Sequence, residues 1–162
     1  MIARRLVLAA ALFAPLVAPP TVRAQDITGP QPELPKEKLV IVTKDGKRHE
    51  FQVEIARTPQ EQEVGEMFRK SVPEDGGMLF DWGAVQESNM WMRNTLVPLD
   101  MLFIGPDGTI RAIAEDAVPR SLAIIQSGAG VRATLEVAGG TAKRLGIVVG
   151  DKVLSPVFGT GP

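Results

Sequence analysis

The chain has no cysteine and only one histidine. The absence of cysteine excludes disulfides, thiol chemistry and a lipid-modified cysteine. There is no Gly-x-Ser-x-Gly motif, and a Ser–His–Asp triad would have to use His49 as its only imidazole. His49 follows a predicted turn, so we expect a partly covered histidine at a strand end, with a metal ligand or catalytic base as the alternative.

Runs of basic residues are also absent. The whole chain contains 18 Lys and Arg against 19 Asp and Glu. Removal of a leader that contains Arg4, Arg5 and Arg23 leaves 15 basic residues against 19 acidic ones, a net charge of −4. A mildly acidic protein without a basic patch has no electrostatic surface for nucleic acid or anionic lipid. Neither is expected as a partner.

Residues 1–24 are predicted to form that leader, a secretory signal peptide. Two arginines precede an apolar run from 6 to 18, and Val22 and Ala24 suit cleavage before Gln25. A membrane-spanning helix needs about 20 apolar residues, and this shorter run also contains Pro15. We therefore expect an exported protein, periplasmic or secreted, with no membrane span after cleavage.

The mature chain is expected to contain one domain. Residues 25–37 include three prolines and have no apolar periodicity, which is typical of an extended tether. Residues 38–158 are long enough to form a single hydrophobic core. Residues 159–162 are left as a short tail.

Two local motifs lie at the start of this domain. Residues 39–43 and 49–55 flank an Asp45-Gly46 turn, and their apolar pattern predicts a β-hairpin. The sequence from Thr58 to Glu61 is a capping box with proline at the first helical position, so a helix is predicted from Pro59 towards Phe68.

The rest of the domain predicts short strands separated by frequent turns. Strands are expected at 78–80, 90–95, 99–104, 109–114 and 131–137, with a last strand ending at Leu154 and loops at 86–89 and 127–130. A second short helix is expected at 142–145, after glycines whose amides would cap it or bind an anion. This pattern predicts a mainly β fold, an antiparallel jelly-roll-like β-sandwich or a closed barrel with one or two short helices.

The stretch from Gly76 to Gly108 concentrates large apolar side chains around a few charges. It contains both tryptophans, Trp82 and Trp91, and most of the methionines. In the predicted strand 90–95, alternation would place Met90, Met92 and Asn94 on one face and Trp91, Arg93 and Thr95 on the other. Such a stretch is either a core crossing or the wall of a pocket.

Several motifs resemble a family known as domain of unknown function 192. They are GEMFR at 65–69, GMLF at 77–80, WMRNT at 91–95 with PLD at 98–100, DG at 107–108, and AGGTA, LG and VGD between 138 and 151. The resemblance covers residues 38–157 and implies a mainly β sandwich with no established activity and no assigned catalytic residues. Met90, where an aromatic is expected, and the added Gly140 depart from the family pattern.

The candidate ligand-binding residues lie in and beside this stretch. Arg69 or Arg93 would hold an anionic group in its fork of donors, while tryptophan and methionine supply apolar contacts. A purely structural ion pair between Arg93 and Asp100 is the alternative. The complete set is Arg69, Trp82, Trp91, Met92, Arg93, Asn94 and Asp100. It predicts a non-enzymatic binding or accessory module for a small molecule or cell-envelope component, without a cofactor.

Two other functions remain open. A carboxylate-dependent hydrolase of glycan or cell-wall material would use Asp100 with Glu87 or Asp81. A Cu(I) or Ag(I) site would use the thioethers of Met90 and Met92, although methionine is also a common filler of irregular cores.

Overall fold

The structure of the protein, a computed structural model, describes residues 27–162. The predicted signal peptide, residues 1–24, lies outside the described residues. Within the part that is described, no helix is long and apolar enough to cross a membrane.

Seven strands form one mixed sheet with two short helices beside it. The strands are β1 (Lys36–Val42), β2 (Arg48–Ala56), β3 (Gly76–Met90), β4 (Leu99–Ile104), β5 (Ile110–Ala117), β6 (Ile125–Ala138) and β7 (Lys152–Leu154). The helices are α1 (Pro59–Val64) and α2 (Thr141–Leu145), and a 3-10 turn follows at Pro156–Phe158. The order across the sheet is β5-β4-β6-β3-β2-β1-β7.

The sheet curls into a half-barrel whose two edge strands approach each other at one end. The amide of Ile110 donates to the carbonyl of Asp151 at 2.9 Å, and that of Val153 donates to Gly108 at 2.8 Å. The mainly β class and the two short helices are confirmed, but the fold is not clearly a sandwich or a closed barrel. The sheet is also not wholly antiparallel, because β2 and β3 run parallel and are joined through α1.

The hairpin and the first helix form where they were predicted. The Thr58 hydroxyl accepts from the Glu61 amide at 3.2 Å, and the Glu61 carboxylate accepts from the Thr58 amide at 2.8 Å. The helix ends at Val64 and does not reach Phe68, since Gly65 takes a positive φ of 49°. The signals are local, so sequence alone was sufficient to find these elements.

The predicted strand 90–95 is wrong. β3 runs through the expected loop 86–89 to Met90, and residues 91–98 form a turn in which Thr95 donates its amide to Met92 at 3.1 Å. Asn94 has a left-handed φ of 57°, which a strand does not allow. The expected break at 127–130 likewise lies inside β6, where irregular pairing with β3 absorbs it.

Both faces of the sheet are covered by buried apolar side chains. One cluster includes Leu39, Phe51, Val53, Leu79, Leu102, Leu135 and Val153. The second cluster includes Met78, Phe80, Met90, Met92, Leu99, Met101, Phe103 and Val131. Polar residues that lie under either cluster, such as Glu54 and Glu136, are therefore buried.

The segment before β1 is attached to the domain. The Gln31 side-chain amide donates to the carbonyls of Glu61 and Gly65 at 3.1 and 3.0 Å. The amide of Leu34 donates to the Glu54 carboxylate at 2.7 Å. These contacts hold the end of the predicted tether over the helix and the second apolar face.

Candidate functional site

A row of four buried side chains crosses the centre of the sheet on the second apolar face. Backbone register places Glu54 of β2 beside Met78 of β3, Met78 beside Glu136 of β6, and Glu136 beside Met101 of β4. All four are buried, with Glu54 3% and Glu136 4% exposed. Two strand spacings, about 10 Å, separate the backbones of the two glutamates.

A third buried carboxyl group, that of Glu66, is held beside this row by the segment after α1. Gly65 allows the close approach, because a Cβ at this position would lie 2.9 Å from the ring of Phe80. The amide of Phe68 then donates to the carbonyl of Asn94 at 2.9 Å, which fixes the segment against the turn after β3. Glu66 is consequently only 3% exposed.

Within residues 27–162, Arg69 is the arginine that pairs with these carboxyl groups. It contacts Glu54 and Glu66 and has no ion pair with Glu136. Arg69 binds Glu54 in a bidentate pair, with Nη1–Oε1 at 2.5 Å and Nη2–Oε2 at 2.8 Å. Its Nε lies 3.2 Å from Oε2 of Glu66, but that oxygen accepts no hydrogen bond. The fork expected to bind an external anion is therefore occupied by internal carboxylates.

The protonation of the three carboxyl groups follows their surroundings. Burial raises the pKa of Glu66 to about 7, because the attraction of Arg69 offsets only part of the desolvation and Glu54 adds repulsion. Burial, together with repulsion from Glu66, raises the pKa of Glu136 well above its usual range. Burial also opposes ionisation of Glu54, but hydrogen bonds from Arg69 and the Leu34 amide hold its pKa below the ordinary value.

Glu66 and Glu136 both line a cavity of about 360 Å³, which we call the Trp82 cleft. Its walls come from α1 and the segment after it, from β3, from the turn after β3 and from β6. The apolar lining consists of Pro59, Val64, Met67, Phe80, Trp82, Met90 and Trp91, and the polar lining includes Gln62, Glu63, Asn89 and Thr95. A cleft of this volume lies within the range of small-molecule sites.

Trp82 is fixed in the wall by stacking and by a buried hydroxyl network. Its ring stacks on Phe80 with centroids 5.7 Å apart, and its Nε1 donates to the Thr134 hydroxyl at 3.2 Å. That hydroxyl lies 3.0 Å from the hydroxyl of Ser88, whose amide donates to Ser127 at 3.0 Å. The network ties β3 to β6, so this wall is preorganised.

Trp91 lies at the mouth of the cleft and is 38% exposed. The guanidinium of Arg93 sits over its ring, 4.4 Å from the centroid, and lies 3.9 Å from the carboxylate of Glu63. Arg93 therefore stacks on Trp91 and faces Glu63, and both of these residues line the cleft.

The other sequence-predicted residues have separate positions. Met92 is fully buried in the second cluster, which Met90 shares while also lining the cleft. The side-chain amide of Asn94 lies 3.8 Å from the sulfur of Met67. Asp100 is fully buried and does not pair with Arg93; it accepts from the amides of Asp116, Gly140 and Ala142 at 2.8, 3.0 and 2.8 Å. Asp100 thereby occupies the anion position expected before α2.

The carboxylates named for a hydrolase each have other surroundings. Asp81 accepts hydrogen bonds from Arg132 and from the Gly83 amide, and these outweigh burial to hold its pKa below the ordinary value. Glu87 is exposed on β3. His49 is half-buried at the start of β2, as expected, and its Nε2 has no hydrogen-bond partner.

Sequence reasoning missed the three glutamates. Glu66 belongs to the GEMFR motif, which was the only available signal. Glu136 alternates with Leu135 and Val137, and such alternation predicts a solvated side chain unless both faces are known to be covered. Glu54 alternates in the same way with Val53 and Ile55 in β2.

The cleft combines two properties. It offers a flat, fixed aromatic wall to an apolar group, and it presents two carboxyl groups that hold protons more tightly than a solvated glutamate. Such groups donate hydrogen bonds when protonated, bind a cation when ionised, and exchange protons with a bound molecule.

Known proteins resemble the whole domain. The family model DUF192, described as "Uncharacterized ACR", matches residues 40–155. A solved structure from Sinorhizobium meliloti 1021, described as a "putative transcription regulator", has 46% identity and a TM-score of 0.76, over 78% of this chain and 98% of that one. A protein of unknown function from Novosphingobium aromaticivorans DSM 12444 has 37% identity and a TM-score of 0.72, over 86% and 94%. A comparison with curated proteins found no match.

Proposed function

The chain belongs to the uncharacterised family DUF192, which confirms the resemblance in its motifs, and we propose from that premise that it is an exported small-ligand-binding module. The ligand occupies the Trp82 cleft, not an arginine-lined site. The proposal is supported chiefly by one observation: two nearly fully buried carboxyl groups border a cavity of about 360 Å³ that has a fixed tryptophan wall.

Burying a polar group without a partner lowers the stability of a protein, so such groups need a functional reason. A stable domain pairs nearly all such groups, as this chain does at Asp100 and Glu54. In the part of the chain that the structure describes, no ion pair includes Glu136, and burial together with the nearby Glu66 raises its pKa well above the usual range. Unpaired groups of this kind are retained where they serve binding or catalysis.

The binding proposal is tested by tryptophan emission of the mature chain, residues 25–162. The panel comprises Cu(I), Ag(I), small carboxylates, phosphates, amines, glycans and cell-wall fragments. A saturable change with one class is expected, reduced in Trp82→Phe. In Trp91→Phe the remaining emission comes from Trp82, so comparing the two variants shows whether the ligand affects the tryptophan at the mouth or the one in the wall. A flat response to every class, or a change that is undiminished in both variants, would remove the cleft as the binding site.

Export is proposed on the evidence of residues 1–24 alone. Expression of the whole chain in a Gram-negative host is expected to give periplasmic protein beginning at Gln25. Cell fractionation and intact mass measure this. Full-length protein in the cytosol would contradict it.

A hydrolase is the second candidate, with Glu66 and Glu136 as the acids in place of Asp100. Their raised pKa values favour it, because a general acid must hold its proton near neutral pH. One carboxylic acid would protonate the leaving oxygen of a glycosidic bond, while the other, ionised, would take a proton from the attacking water. Reducing-end release from glycans that is lost in Glu66→Gln would establish it, whereas saturable binding without turnover favours the module.

The description of the Sinorhizobium meliloti relative raises transcription regulation as a third idea. The mature net charge of −4 and the lack of a basic patch in the sequence argue against direct contact with nucleic acid.

A further inference from the structure

We infer that the ligand of the Trp82 cleft has a primary ammonium or guanidinium group on an apolar stem, and that Glu136 and Glu66 bind this cation. The inference rests on the proposed function, because it names the ligand class of the same cleft.

The buried group contains more acids than bases. Glu54, Glu66 and Glu136 are each at most 4% exposed, and within residues 27–162 only Arg69 forms an ion pair with any of them. Arg69 commits two donors to Glu54 and turns its third towards Glu66. One cation therefore serves three acids, and the uncompensated acid, Glu136, lies on the cleft side.

Glu136 lies in apolar surroundings. Its neighbours across the sheet are Met78 and Met101, both fully buried, and the nearby segment after α1 contributes Glu66. Within residues 27–162, Oε2 of Glu66 is buried and accepts no hydrogen bond, although Nε of Arg69 lies 3.2 Å from it. A group with several N–H donors that enters from the cleft would satisfy both carboxyl groups, which a neutral apolar molecule cannot do.

The cleft lining is acidic and aromatic. Among the described residues that line the cleft there are three glutamates, at 63, 66 and 136, and no lysine, arginine or histidine. The aromatic faces of Phe80, Trp82 and Trp91 also favour cations. The chain already places a cation of its own at the mouth, where Arg93 stacks on Trp91 beside Glu63.

A metal ion fits these residues less well than an organic cation. Within residues 27–162 no three His, Cys, Asp or Glu side chains are grouped so as to hold a metal. The walls around the two carboxyl groups are apolar and offer an organic stem the contacts that a bare ion would not use.

Proton release is the signature of this mode of binding. Burial raises the pKa of Glu136 and of Glu66, so the empty cleft at pH 6 holds protons that a bound cation must displace. Other charged groups face these carboxyl groups. Glu54 and Arg69 form an ion pair next to Glu66, and Glu63 lies at the mouth with 58% of its side chain exposed. Release of about one proton per bound cation is expected.

The test is isothermal titration calorimetry of residues 25–162 at pH 6, in two buffers of different ionisation enthalpy. The probes share a six-carbon stem: hexylamine, hexyltrimethylammonium, hexanol and hexanoate. Hexylamine is expected to bind at least tenfold more tightly than hexanol, and hexanoate least tightly. The quaternary ammonium, which has no N–H donor, should bind more weakly than the primary amine. Buffer dependence of the heat measures the released proton.

The variant Glu136→Gln, with Glu115→Gln on the exposed side of β5 as its control, completes the experiment. Glu136→Gln should lose the preference for hexylamine over hexanol and most of the proton release, while Glu115→Gln, which lies outside the cleft lining, changes the hexylamine affinity less than threefold. If hexanol binds as tightly as hexylamine, or if Glu136→Gln binds hexylamine normally, the inference is wrong although the cleft still binds ligands. If no probe binds and the fluorescence panel is also flat, both the inference and the proposed function are wrong.

Discussion

Asp100 and Glu136 are buried carboxyl groups on neighbouring strands, β4 and β6, and their surroundings are opposite. Asp100 accepts three backbone hydrogen bonds and fixes the start of α2. Glu136 lies between two methionines, forms no ion pair within residues 27–162, and borders a cavity. Asp100 therefore stabilises the fold. The burial of Glu136 lowers stability, so its presence requires another explanation.

Asp100→Ala is expected to lower the free energy of unfolding by about 3–5 kcal/mol, because three backbone amides, one of them fully buried, lose a charged acceptor. Urea denaturation followed by circular dichroism measures this. Glu115→Gln, at an exposed carboxylate of β5, is the control and should change stability by less than about 0.5 kcal/mol. Equal, small effects of both changes would show that Asp100 is not the acceptor that fixes α2.

Glu66 gives a prediction about pH. Burial raises its pKa from the ordinary value of 4.5 to about 7, so the folded protein binds this proton more tightly than the unfolded chain does. Its contribution to the free energy of unfolding is therefore complete below about pH 4.5 and is lost as the pH rises through 7. The loss amounts to at most about 3 kcal/mol.

Glu66→Gln removes this titration, so the variant should gain stability relative to the wild type between pH 5 and pH 8. Urea midpoints measured across that range test it, with Glu63→Gln as the control for a cleft glutamate at an exposed position. Parallel curves for wild type and Glu66→Gln would contradict the raised pKa.

Among the elements, those built from neighbouring residues were predictable and those built from distant pairings were not. The turn at Asp45-Gly46 and the capping box at Thr58 are local signals, and both elements begin close to where the sequence places them. The length of β3 depends on its irregular pairing with β6, some 40 residues away, which no local pattern reports. For that reason 86–89 and 90–95 were assigned the wrong structures.

The residues of the candidate site also differ in whether local sequence can reveal them. The density of large apolar residues in the sequence marks the stretch that contains Trp82, Trp91 and Met90, three residues that line the cleft. Sequence reasoning missed Glu136 because the row that contains this residue exists only after four strands have been aligned. It assigned Arg69 to a ligand because the acid that neutralises it lies 15 residues earlier, on another element.

The pairing of β3 with β6 gives a prediction at the element scale. A Cβ at Gly77 would lie 2.2 Å from the backbone oxygen of Glu136, so any side chain there separates the strands. Gly77→Ala should lower the free energy of unfolding by more than about 2 kcal/mol and weaken cleft binding, because it displaces Glu136. Gly29→Ala, where a Cβ has open space, is the control for thermal denaturation. Equal melting temperatures would contradict the close approach.

At the scale of the whole molecule, β7 joins the two ends of the half-barrel. It pairs with β1 and also bonds to the turn before β5, through Val153 and Gly108. A chain that ends at Gly150 should therefore lose cooperative unfolding, whereas one that ends at Thr160 should keep it, because the last two residues are exposed. Scanning calorimetry distinguishes them. A sharp transition in the shorter chain would show that the sheet is stable without this closure.

The central claim is that the Trp82 cleft binds a small organic cation, and the most direct measurement is a two-dimensional ¹H–¹⁵N spectrum of the mature chain titrated with hexylamine. The two tryptophans give two indole N–H signals, and that of Trp82 should be protected from exchange by its hydrogen bond to Thr134. We predict saturable shifts of both indole signals and of backbone amides at 64–67 and 134–137, with little change in β7. Shifts confined to surfaces outside the cleft, or none at saturating amine, would contradict the account.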